Sequence, residues 1–119
     1  MDVRGHLDLV LLATLQQVGP AHGYALIVAL REASGGAFEL AEGTIYPALH
    51  KLEREGLVAS AWSSDAARRR RVYELTAAGA ASLAQKRSEW TRLVDAVAAV
   101  LASARHGLAT NRGWGWSAA

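Results

Sequence analysis

From Thr76 to about Ala104 the chain reads as one helix, and that helix is too long for so small a protein to cover. Thr76 is a residue type that begins helices, because its hydroxyl can accept a first-turn N–H. Beyond it Leu83, Trp90, Leu93, Val94, Val97, Val100 and Leu101 return at helical spacing, heptad-like from Trp90 onward. At ~1.5 Å per residue such a helix is about 40 Å long. A chain of 119 residues makes one small domain, so part of this stripe would project as an uncovered apolar patch. A second copy of the same chain is the expected cover.

The preceding residues divide into shorter elements. His6 to Val18 carries Leu7, Leu9, Val10, Leu11, Leu12, Leu15 and Val18, apolar around most of a helix, so more than one side needs burial. Gly19-Pro20 stops it, since proline cannot continue a helix. A second helix is predicted from about His22 to Ala33, with Tyr24, Ile27, Val28 and Leu30 as its apolar residues, ended by Ser34-Gly35-Gly36. The third should run from about Glu42 to Glu55 and close at Gly56. Its stripe of Ile45, Ala48, Leu49 and Leu52 opposes a face of Gly43, Pro47, His50 and Arg54, flanked by Thr44, Tyr46 and Lys51. Pro47 fits only near the first turn, which puts the start no earlier than about Ala41. Leu57–Trp62 and Arg70–Leu75 read as two strands joined by a loop at 63–67. The fold class is therefore mainly α with a small β-hairpin: a winged helix-turn-helix over 1–76, a dimerisation helix over 77–104, and a flexible tail over 105–119 carrying Trp114 and Trp116.

Composition removes whole classes of function. Hydrophobic residues at 51% and charged residues at 20% are ordinary for a folded domain and too apolar for intrinsic disorder. With no cysteine, disulfides, thiolate metal sites and cysteine nucleophiles are excluded. His6, His22, His50 and His106 have no ligand spacing, and no nucleophile elbow, phosphate loop or dinucleotide fingerprint is present. Neither an enzyme, a metal protein nor a cofactor binder is expected. Leu9 to Ala13 is too short to span a bilayer and is flanked by Asp8 and Gln16, so the expectation is a cytoplasmic protein without a membrane partner.

The net charge of +2 is unevenly spread: residues 1–60 carry four basic and seven acidic side chains, residues 61–119 nine and four. Most of the excess is Arg68-Arg69-Arg70-Arg71, at the hairpin. Four like charges in a row repel one another, yet on double-stranded DNA they would meet phosphates or enter the minor groove. A charged edge that discourages strand pairing is the competing explanation, although lysine would serve equally well there. A helix-turn-helix sets its second helix into the major groove. Thr44, Tyr46, Pro47 and His50 would then face the DNA, with Lys51 and Arg54 toward phosphates. A winged-helix protein-interaction module, or a small-molecule sensor, each without DNA binding, are the alternatives.

His22-Gly23-Tyr24, the run Glu42-Gly43-Thr44-Ile45-Tyr46-Pro47-Ala48-Leu49-His50-Lys51-Leu52-Glu53 with Gly56-Leu57-Val58, and Arg71-Val72-Tyr73-Glu74-Leu75-Thr76 with Gly79 resemble the PadR family of bacterial transcriptional regulators. The likeness covers about residues 5–104, and the single terminal helix is similar to the short subfamily. It implies a homodimeric winged-helix repressor on inverted repeats, released by small molecules in several members. It places Tyr24, Gly43, Thr44, Tyr46, Pro47 and Lys51 in the DNA-reading region and Tyr73 at the wing base; Tyr24 is core or a phosphate contact, with core favoured. Trp90 resembles the interface tryptophan of multidrug-sensing members, where planar aromatic compounds stack, with Leu11, Val94 and Val97 as neighbours; a plain packed interface is the other reading. Three departures stand out. Ala41 replaces a serine-like cap, the wing loop lacks the usual Gly or Pro, and the tryptophan-bearing tail has no counterpart.

Overall fold

The computed structural model of the protein describes residues 3–64 and 69–110. They fall into two compact units, Met1–Lys86 and Arg87–Ala119, whose boundary lies within one helix. In the first unit a 3-10 turn, Arg4–His6, leads into α1 (Leu7–Val18), followed by β1 (Ala21–His22), α2 (Gly23–Ala33), α3 (Glu42–Arg54), β2 (Val58–Trp62) and β3 (Arg71–Leu75). Helix α4 (Ala77–Thr110) begins there and continues through the second unit, past the Ala104 expected from sequence.

The core forms where the three helical stripes meet the sheet. Leu11, Leu12 and Leu15 of α1, Leu26 and Leu30 of α2, and Ile45, Leu49 and Leu52 of α3 are all buried. Val58, Tyr73 and Leu83 close the cluster from β2, β3 and α4. Burying each such side chain stabilises the fold by roughly 1.5–3 kcal/mol before conformational entropy is counted. On α3 the buried and exposed faces fall where the 3.6-residue period puts them, with Gly43, Pro47, His50, Lys51 and Arg54 outward.

The sheet is larger than the hairpin read from sequence. It has three antiparallel strands in the order β1-β3-β2, so β3 is central. Ala21 pairs with Tyr73 and His22 with Val72 on one side; Ser60 pairs with Tyr73 and Trp62 with Arg71 on the other. A two-residue strand has too few residues to show alternation, and so leaves no periodic trace. His22 therefore precedes the second helix instead of opening it. Its backbone is extended, and its ring accepts the Ala25 N–H as an N-cap.

Two junctions fix the wing against the helices. Gly56 ends α3 with φ +78, a left-handed conformation open to glycine, and the Leu57 N–H reaches back to the Leu52 carbonyl. Thr76 caps α4 as expected, accepting the Gly79 N–H at 2.9 Å, while its hydroxyl donates to the Gly56 carbonyl at 2.7 Å. A side chain at Gly79 would run into the Leu57 carbonyl oxygen. The first turns of α4 thus belong to the winged unit.

In the second unit every described side chain of α4 is exposed. Trp90, Leu93, Val94, Val97, Val100 and Leu101 account for most of the large exposed apolar side chains among the described residues. Trp114 and Trp116 lie outside the described residues.

Candidate nucleic-acid interface

Helix α3 starts without a side-chain cap, because Ala41 occupies that position and offers no oxygen to the first-turn N–H groups. Glu42 in the first turn partly offsets this, as a negative charge near a helix N-terminus is favourable. Pro47 sits in the second turn, where its missing N–H removes one intrahelical bond, and the helix nevertheless continues to Arg54. Tyr46 is half-buried and lies over α2. A Cβ on Gly23 would fall 2.5 Å from its ring, so only glycine lets the two helices approach here.

Tyr24 is exposed, which corrects its assignment to the core. The buried side of α2 is set by Gly23, Leu26, Ile27 and Leu30, and one residue past Gly23 the helix has turned Tyr24 outward. Thr44 is half-buried, whereas Pro47, His50 and Arg54 are exposed on the outer face.

Lys51 has partners within the chain. Its ammonium lies 2.8 Å from the Asp8 carboxylate of α1 and 3.5 Å from Glu55. The hydrogen bond and charge of Asp8 hold its pKa above the ordinary lysine value. A phosphate would have to compete with both carboxylates for it.

Arg71 opens β3, with Arg69 and Arg70 just before it, and the three side chains take different sets of partners. Arg71 donates from Nε to the Ser60 hydroxyl at 2.9 Å and pairs with Glu53 at 3.8 Å. Ser60 in turn donates to Glu53 at 2.6 Å, which ties the wing base to α3. Arg69 and Arg71 both stack on the indole of Trp62, at 4.9 and 5.3 Å from the ring centroid. Arg70 instead brings Nη1 to 2.8 Å from Nε2 of His22. Partial burial, then the charge of Arg70, hold the His22 imidazole below the usual histidine range. Arg68 lies outside the described residues.

These groups surround one cleft of about 530 Å³ between the wing and the start of α3. His22 and Tyr24 line one wall, Glu42 and Tyr46 another, and Trp62 with Arg69, Arg70 and Arg71 the third. The structure thus brings Tyr46 together with three of the four wing arginines. Sequence reasoning missed His22, Trp62, Glu53 and Ser60 as members of this region. A tryptophan at the end of one strand opposite arginines on the next was the available signal for Trp62. For the aromatic-ligand set, Leu11 is fully enclosed in the core, while Trp90, Val94 and Val97 are exposed on α4.

Three helices, the third presenting an outward face, followed by a hairpin wing beside it, define a winged-helix protein. Comparison with known families gives the particular kind: residues 11–85 match the model of the transcriptional regulator PadR-like family. The chain belongs to that family, whose members are transcriptional regulators rather than enzymes. It is similar to the transcriptional regulator Rv3488 of Mycobacterium tuberculosis, 42% identical over 57 residues, which make up 48% of this chain and 53% of that one. The chain thus spans about half the length of that regulator. Among solved structures it resembles a PadR family transcriptional regulator from Eggerthella lenta, with TM-score 0.74, 33% identity, and 82% and 83% of the two chains covered. A transcriptional regulator from Clostridium thermocellum gives TM-score 0.74 at 27% identity, covering 80% and 92%. PadR family regulators bind DNA and typically dimerise. Among the described residues no helix is long and apolar enough to cross a membrane.

Proposed function

We propose that this chain is a homodimeric repressor acting in the cytoplasm on an inverted-repeat DNA operator. The observation that carries the reading is the cleft itself, where the arginine-bearing wing and the tyrosines of α2 and α3 converge beside the outer face of α3. Thr44, Tyr46, Pro47 and His50 would read or touch the major groove, with Arg54 at its rim. Arg68, Arg69 and Arg70 would hold the backbone, since arginine serves phosphate recognition better than a structural edge requires. Arg71 would act chiefly by fixing the wing, given its bonds to Ser60 and Glu53. Lys51 would reach phosphate only by leaving Asp8.

Dimerisation rests on the exposed stripe from Trp90 to Leu101, which a copy of itself would bury. A two-fold dimer would offer two α3 helices to major-groove faces roughly 34 Å apart. Trp90, flanked by Val94 and Val97, would also give a planar aromatic effector a surface to stack on. Enclosed Leu11 supports no direct contact with such a compound.

A footprint on the DNA upstream of the chain's own gene tests the reading, together with the mass of the protein in dilute solution. A symmetric protected site bound by two copies is the expected result. A stable monomer, or protection without symmetry, refutes it. Quenching of Trp90 fluorescence by planar dyes, lost in Trp90→Ala, checks the effector site; equal quenching in the variant removes it.

A further inference from the structure

His22 faces two hydrogen-bond donors in the cleft, and a neutral ring can accept from only one of them. A neutral imidazole has one donor nitrogen and one acceptor nitrogen. Yet Nδ1 of His22 faces the Ala25 N–H at 3.2 Å and Nε2 faces Nη1 of Arg70 at 2.8 Å, and both of those groups only donate. If Nδ1 accepts and completes the α2 cap, Nε2 carries the proton and opposes the guanidinium. If Nε2 accepts from Arg70, Nδ1–H opposes the cap. Protonation makes both nitrogens donors, and the neighbourhood disfavours it: partial burial and then the positive Arg70 hold the imidazole toward its neutral form. The other charges around the cleft are Arg69 and Arg71 from the wing and Glu42 from α3, with the Tyr24 and Tyr46 phenols between them.

One anionic oxygen entering at this contact as Arg70 draws aside would satisfy all of these groups together. It would accept from Nη1 of Arg70 and from Nε2–H of His22, leaving Nδ1 to cap Ala25. We propose that His22 and Arg70 form a paired seat for one backbone phosphate of DNA, with His22 binding it as a neutral Nε2–H donor. This deepens the DNA-binding reading above and rests on it. The incoming oxygen would separate two donors that otherwise face each other, and Arg70 already lies beside the site where it would be used. The histidine would thereby link the α2 cap to the wing at the moment of binding.

His22→Asn separates this role from capping. Asparagine is a good N-cap and keeps an acceptor for the Ala25 N–H, but it is too short to reach the position of Nε2. The variant should keep the wild-type thermal midpoint and bind a mixed-sequence duplex about a hundredfold more weakly, about tenfold for the one bond to a charged acceptor lost in each of the two protomers. Because a neutral donor displaces no counterion, its log-affinity against log-salt slope should match wild type, whereas Arg70→Ala should lower both affinity and slope. Nitrogen-15 spectra of the complex should show the His22 proton on Nε2. Wild-type affinity in His22→Asn, a slope lowered as in Arg70→Ala, or a proton on Nδ1 in the complex would each overturn the seat while leaving DNA binding intact. If the wild-type protein binds no duplex at all, the seat and the DNA-binding reading fail together.

Discussion

Replacing Arg69 and Arg70 with alanine gives the sharpest test of where the backbone is held. Among the described residues neither pairs with a carboxylate: Arg69 lies on the Trp62 ring and Arg70 against a neutral imidazole. Lys51, by contrast, is held by Asp8 and Glu55, and Arg71 by Glu53. In the proposed dimer, two available arginines in each of two protomers would make four phosphate contacts. Each contact contributes about 0.9 to the slope of log affinity against log salt, so the double variant should lose about 3.6 of that slope. Extrapolated between 50 and 200 mM salt, that slope corresponds to roughly a 150-fold change in affinity that the wild type undergoes and the variant does not. Fluorescence anisotropy with a labelled duplex at several salt concentrations measures it directly. Lys51→Met, measured beside it, should leave the slope unaltered. An unchanged slope in the double variant, or a loss found in Lys51→Met instead, refutes the division of the cations into held and available.

The remaining predictions concern the elements that position the cleft. Gly23→Ala drives a methyl into the Tyr46 ring and should cost about 1–3 kcal/mol, read as a lower urea midpoint; adding Tyr46→Leu should recover part of the loss. Thr76→Ala removes both the α4 cap and the bond to Gly56, with an expected cost of about 1 kcal/mol that Thr76→Ser restores. Burial, then the charge of Glu53, raise the Tyr73 pKa, so its folded-state value exceeds the unfolded one. The stability this gives is present in full below about pH 10 and is lost as pH climbs through the raised value. Alkaline unfolding monitored by circular dichroism should therefore begin later in Tyr73→Phe.

Much of the scaffold was legible because its signals are local. The α3 stripe, the Gly56 stop, the Thr76 cap and the paired strands are each encoded within a few residues, and the structure places them close to where periodicity puts them. The resemblance carried by the Glu42–Glu53 run supplied the family. What escaped was non-local or too short to repeat. Strand β1 exists only through its pairing with β3, some fifty positions later in sequence. Lys51 looked available because Asp8 lies 43 residues earlier, where no spacing rule connects them. Tyr24 was drawn toward the core by its aromatic character, although the helical phase set by Leu26 and Leu30 turns it outward. The His22 cap was hidden by reading the residue as helical.

The clamp of Lys51 onto α1 divides the labour between elements. With that cation engaged, Thr44, Tyr46 and Pro47 would meet the duplex as neutral groups on the proposed reading, and the general grip would reside in the hairpin. Recognition and adhesion can then drift independently. A library randomised at the front of α3 could yield regulators with new target preferences and undiminished overall hold, and paralogues could diverge by the same route.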